Sequence, residues 1–133
     1  MDLYSDKILE HARHPHKFGR IVEPHLTFEE VNSFCGDRIR VELRLGETGQ
    51  VEEVGFSGEM CVIARGSASI LFGSLEGTLP AAITQVSDAD VLKSLEEPIK
   101  SNRVTCALLP VLALRGALQH RHGHPPSLSS TGG

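Results

Sequence analysis

The chain has 133 residues, enough for one domain with its own core, and its 40% hydrophobic and 23% charged composition fits a globular protein, not a disordered one. Net charge is −4, Trp is absent and aromatics are 5%, which weighs against nucleic acid as a main partner. No apolar run approaches the roughly 20 residues that span a bilayer, so no membrane association is expected.

The start of the chain, MDLYSDKILE, is acidic and amphipathic and does not read as a signal peptide. Three cysteines, Cys35, Cys61 and Cys106, without an export signal predict a reducing cytoplasmic setting with free or metal-bound thiols. All acidic residues lie at or before Glu97, and Lys100, Arg103, Arg115 and Arg121 follow it. This reads first as a basic segment neutralising an acidic body, and second as a docking face for an acidic partner.

Residues 2–14 predict a helix, with Tyr4, Ile8 and Ala12 on one stripe, Asp2 and Asp6 at its positive end and Pro15 stopping it. Tyr4 fits a core position or a partner contact equally well. His11, His14 and His16 crowd the stop and read as solvated residues near a helix end. Leu26–Val31 is a weak extended segment, and Phe34-Cys35-Gly36-Asp37 is a turn by composition. Arg38–Leu45 alternates strictly, which puts Ile39, Val41, Leu43 and Leu45 inward and the charges outward. Gly46–Gly49 turns the chain into a return strand, Gln50–Ser57, where Val51 and Val54 fall out of phase and predict a bulge near Glu52.

The period then changes to that of a helix over Cys61–Leu75, where Gly66 suggests close packing. Short helices are expected at Pro80–Val86 and at Ala89–Glu96, the second capped by Ser87 or Asp88. A last helix runs from Ser101 or Asn102 to Gln119, with a kink expected at Pro110. Residues 120–133 read as a flexible low-complexity tail, which leaves one domain over 1–119. His120, His122 and His124 in that tail would bind metal only adventitiously. The fold class expected is α+β, with helices packed on one face of a three-stranded antiparallel sheet.

The chemistry sits at element ends. Cys35 lies in a turn, and Cys61 and Cys106 open helices, where the dipole favours thiolate. Any one of them alone is ordinarily a small core residue. Asp37, two residues past Cys35 across a glycine, changes the balance, because Cys-Gly-Asp lets a thiolate and a carboxylate point to one side. Three thiolates and one carboxylate complete a tetrahedral four-ligand site, so Cys35, Asp37, Cys61 and Cys106 are the candidate metal ligands. Arg103, one helical turn before Cys106, is a candidate to favour its thiolate.

Cys35-Gly36-Asp37-Arg38-Ile39, then Gly58-Glu59-Met60-Cys61 with Ser67-Ala68-Ser69, then Arg103-Val104-Thr105-Cys106-Ala107 resemble the three motif blocks of the IscU/SufU/NifU N-terminal family of iron–sulfur cluster scaffolds. The opening helix and Pro15 also resemble that family, so the likeness covers about residues 2–120. It implies the NifU/IscU-like sandwich. It also implies that Cys35, Asp37, Cys61 and Cys106 hold a transient [2Fe–2S] cluster, or Zn²⁺ instead. The chain departs from the family in several places. Thr105 stands where the Isc branch has histidine, and Arg103 resembles the Suf branch. The 45 positions from Cys61 to Cys106 leave no room for the usual Suf insertion. Glu97-Pro98-Ile99-Lys100 only echoes the Isc chaperone motif.

Three functions follow as expectations. One is a non-enzymatic scaffold that takes sulfur from a cysteine desulfurase on Cys35, Cys61 or Cys106 and passes a cluster to apo iron–sulfur proteins. Another is a zinc-dependent sulfurtransferase that carries persulfide on one of those thiols. The third, a structural zinc protein, is disfavoured because no Cys-x-x-Cys knuckle is present.

Overall fold

The computed structural model describes residues 5–33 and 36–119. Helix α1 spans Asp6–Arg13, with the Ser5 hydroxyl accepting from the N–H of Ile8 at its start. Three strands follow, β1 (Leu26–Asn32), β2 (Asp37–Leu45) and β3 (Val51–Glu59). Then come α2 (Val62–Phe72), α3 (Pro80–Thr84), α4 (Asp88–Ser94) and α5 (Val104–Gln119), the last preceded by a 3₁₀ turn at Ser101–Arg103. The architecture is α+β, as expected from the order of elements. Among the described residues no helix is long and apolar enough to cross a membrane. Tyr4, Cys35 and the tail residues 120–133, with His120, His122 and His124, lie outside the described residues.

The sheet is an antiparallel meander in the order β1-β2-β3. Asn32 pairs with Asp37, which sets the end of β1 beside the start of β2. On the other side Arg44 faces Glu53 while Leu45 faces Val51, which leaves Glu52 as the extra residue of the expected bulge. β3 runs two residues further than expected, through Gly58. A Cβ there would sit 2.1 Å from the Arg38 carbonyl oxygen, and φ is +130°, so only glycine carries the strand to Cys61.

Ile39, Val41 and Leu43 point from β2 into a core shared with Phe56, Phe72, Leu109, Ala113, Leu114 and Ala117. Each large side chain buried there contributes about 1.5–3 kcal/mol. A second cluster, Ile8, Ile63, Ala64, Leu95, Cys106 and Ala107, joins α1, α2, α4 and α5. Gly66 belongs to this contact, since a Cβ on it would lie 3.0 Å from both Cγ2 and the carbonyl oxygen of Ile8. The glycine therefore sets how closely α1 approaches α2.

Several boundaries differ from expectation. α2 ends at Phe72, not Leu75, because Ser74 and Leu75 tighten into a turn after Gly73. α3 and α4 end at Thr84 and Ser94, short of Val86 and Glu96, and Ser87 caps α4 with a full capping box to Asp90. Pro110 lies inside α5 and is buried.

Two local readings are corrected by packing. Alternation puts the charges of β2 in solvent, yet Glu42 is only 1% exposed. A strap of residues 17–25 crosses the outer face of the sheet and covers it. Phe18 bridges to Phe56 in parallel, flanked by hydrogen bonds of Phe56 with Lys17 and Gly19. Ile21 N–H and Arg20 Nε then reach Glu42 at 2.9 and 2.6 Å, joined by Arg40 Nε at 3.0 Å. Arg44 donates to the carbonyls of Val22 and Glu23. Burial alone would raise the Glu42 pKa, but the Ile21 N–H and the two guanidinium groups outweigh it and hold it below the ordinary range. His11 reads as a solvated residue, but its Nδ1 lies 2.7 Å from the buried Ser69 hydroxyl, which also accepts from the His16 N–H. Burial first, and then His16, lower the His11 pKa.

Candidate metal centre

Asp37, Cys61 and Cys106 come from three elements. Asp37 opens β2, Cys61 is the residue that caps the start of α2 directly after β3, and Cys106 lies in the first turn of α5. One ligand atom from each falls within 4.8 Å of the others. Cys35 is outside the described residues, so the geometry concerns three of the four residues singled out in the sequence.

The Cys61 N–H donates to Asp37 Oδ1 at 3.2 Å. The other oxygen, Oδ2, is buried and has no hydrogen-bond partner among the described residues. Leaving such an atom unsatisfied costs about 1–3 kcal/mol, and a cation between the carboxylate and the two sulfurs satisfies it. Two thiolates and a carboxylate at this spacing match the preferences of Zn²⁺ and of iron. The residues present fit a metal.

The two sulfurs have different surroundings. Cys61 is half-buried, and its thiol pKa is raised, first by burial and then by the Asp37 carboxylate. The N–H of Ala64 at the helix start and the neighbouring Cys106 pull the other way without winning. The expectation that a helix start lowers the thiol pKa therefore fails for Cys61 in the metal-free protein. Desolvation and a facing anion exceed the helix-end effect. A coordinating thiol is deprotonated outright. Cys106 is 2% exposed, with Asn32 Nδ2 at 3.8 Å and Arg103 Nη1 at 4.0 Å from its sulfur.

Motif and residue type do not single out Asn32. A signal for it exists all the same, because the inward parity of Leu26, Phe28 and Glu30, carried one step beyond Val31, lands on Asn32. A polar side chain on the core face next to Cys-Gly-Asp is what that step puts there.

The NifU-like N terminal domain family matches residues 3–125, nearly the whole chain. The chain belongs to the NifU-like N-terminal domain family. The bifunctional protein NifU/MnmA of Rubrobacter xylanophilus is 28% identical over 116 residues, 87% of this chain but 24% of that protein. The zinc-dependent sulfurtransferase SufU of Bacillus subtilis is 33% identical over 75 residues, 56% of this chain and 50% of that one. This chain thus spans a quarter to a half of these two relatives. The scaffold protein IscU of Azotobacter vinelandii is 24% identical over 126 residues, covering 90% of this chain and 97% of IscU. Among solved structures, the NifU-like N-terminal protein of Brucella abortus superposes with a TM-score of 0.78 at 19% identity, covering 91% of this chain and 95% of its own. The SUF-system protein of Fervidobacterium islandicum gives 0.75 at 21%, covering 86% and 96%. These two establish the shared fold.

Proposed function

We propose that this chain is an iron–sulfur cluster assembly scaffold. It accepts sulfur from a cysteine desulfurase, assembles a labile [2Fe–2S] cluster on Cys35, Asp37, Cys61 and Cys106, and hands it to apo iron–sulfur proteins. The observation that carries this reading is the convergence of Asp37, Cys61 and Cys106 with a buried carboxylate oxygen lacking a donor. The iron and sulfide are cargo. A carboxylate is a harder ligand than thiolate and holds iron–sulfur cargo less firmly, which suits a site that must release what it builds. The name borne by the Azotobacter relative supports the same reading.

A second reading, a zinc-dependent sulfurtransferase, is favoured by the Bacillus relative and by Arg103 beside Cys106. The four residues would hold Zn²⁺, which keeps the site ordered. One thiolate then attacks the outer sulfur of the desulfurase persulfide, forming a new S–S bond while the desulfurase thiolate leaves.

The deciding experiment is elemental analysis of untagged protein, followed by absorption spectra after iron, cysteine and a desulfurase are added. A coloured, labile cluster supports the scaffold. Retained zinc with faster desulfurase turnover and no colour supports the sulfurtransferase. In either case, Cys35→Ser, Cys61→Ser and Cys106→Ser should each weaken zinc binding strongly. Unchanged affinity in all three would sink the shared site.

A further inference from the structure

We infer that Asn32 is a positioning residue for the metal centre: its side-chain amide donates to the Cys106 sulfur and ties the strand end bearing Asp37 to the first turn of α5. The inference rests on the metal-site reading above. Asn32 ends β1 and is only 8% exposed. Its backbone stands opposite Asp37 in the β1–β2 register, and its carbonyl accepts from the Gly36 N–H at 2.8 Å. Its main chain therefore holds Gly36 and Asp37 at the start of β2. Its side chain reaches the other way, with Nδ2 3.2 Å from the Thr105 hydroxyl and 3.8 Å from Cys106 Sγ. One residue thus connects the carboxylate-bearing strand to the sulfur-bearing helix.

An amide buried at this depth must be hydrogen-bonded or it destabilises the fold. A shorter hydroxyl in its place could not span from β1 to the sulfur. An N–H directed at a thiolate ligand withdraws electron density from the sulfur and fixes its direction. Partners of this kind beyond the ligands tune cluster potential, and their loss commonly weakens metal binding by roughly 10–100-fold. Arg103 supplies a further donor to the same sulfur, 4.0 Å away. Cys106 is thereby flanked by donors, whereas Cys61 faces the Asp37 carboxylate.

The test uses Co²⁺ loaded into the full chain, read through its thiolate-to-cobalt charge-transfer absorption. Asn32→Leu keeps the γ-branched shape and heavy-atom count, at a somewhat larger volume, without an N–H. A sulfur relieved of a donor gives up its electron more easily, so the band should move to longer wavelength, and Co²⁺ affinity should fall roughly 10–100-fold. Thr105→Val removes the hydroxyl that Nδ2 also approaches and should leave the band in place. If Asn32→Leu does not fold, Asn32→Ser, too short to reach the sulfur, carries the same expectation. Asn32→Gln retains a donor and should keep the band nearer wild type than either.

A folded Asn32→Leu or Asn32→Ser with wild-type band position and affinity overturns the inference. So does an equal band shift in Thr105→Val, which would reduce Asn32 to holding the helix in place. Wild-type protein that shows no thiolate charge-transfer band would overturn the metal-site reading itself, and the role of Asn32 with it.

Discussion

The Cys61 N–H donates to one oxygen of Asp37 across 3.2 Å, while the second oxygen of the same carboxylate is buried without a hydrogen-bond partner among the described residues. The first contact aims the carboxylate at the start of α2. The second oxygen is what a cation would engage. Replacing Asp37 by Ala should therefore give an assembled cluster that decays more slowly but transfers more slowly to an apo-ferredoxin. In the metal-free protein the same change removes an anion that helps keep the Cys61 thiol protonated, so Cys61 should alkylate faster at neutral pH. A cluster that decays faster in the variant would make Asp37 a stabilising ligand and defeat the lability argument.

Arg103 reaches the Cys106 sulfur from one helical turn before it. Arg103→Ala should slow alkylation of Cys106 at fixed pH in the metal-free protein and slow sulfur uptake from the desulfurase. Thermal stability should change little, because the side chain is only half-buried. Identical Cys106 alkylation profiles in variant and wild type would leave Arg103 a bystander.

Glu42 couples stability to acidity. Its folded-state pKa is depressed, so the stability it contributes is fully present above the unfolded glutamate value of about 4.3 and is lost as pH falls through the folded value. Glu42→Gln should be less stable by about 1–2 kcal/mol at neutral pH, an amount tempered by the exposure of Arg20. The two proteins should converge as acid protonates the wild-type carboxylate. Urea unfolding at several pH values measures this. A constant gap from neutral to acid pH would show that the effect is steric.

Gly66 sets the distance between α1 and α2. Gly66→Val should drive a branched side chain into Ile8 and cost about 1–3 kcal/mol, read by urea unfolding. Hydrogen exchange should then show α1 opening before the sheet. Unchanged stability would mean that α1 shifts without loss.

Much of the fold is written in local pattern. β2 alternates strictly, the phase slip between Val51 and Val54 marks the bulge at Glu52, and a glycine in a helical stretch marks the approach of Ile8. Asp37, Cys61 and Cys106 stand out by residue type and position. What pattern does not carry depends on distant chain. Glu42 looks like a solvent-facing charge until the strap crosses it, and the strap itself has neither strand nor helix period. By its helix alone the Cys61 thiol looks activated, but the fold half-buries it and then sets the Asp37 carboxylate against it, which together reverse the effect. Asn32 is one residue past the last clear strand position, so its inward parity is easy to overlook.

The parallel bridge between Phe18 and Phe56 has a consequence for self-association. Its flanking hydrogen bonds take up the outward N–H and C=O of Phe56, and Thr78 and Gly77 take up those of Val51 in the same way. The free side of β3 therefore offers no continuous row of backbone groups for a foreign strand to join. A second copy, or an extended peptide seeking to lengthen the sheet there, would first have to peel away residues 17–19 and with them the route back to α1. The sheet is closed to augmentation on this side by a segment too short to count as a strand.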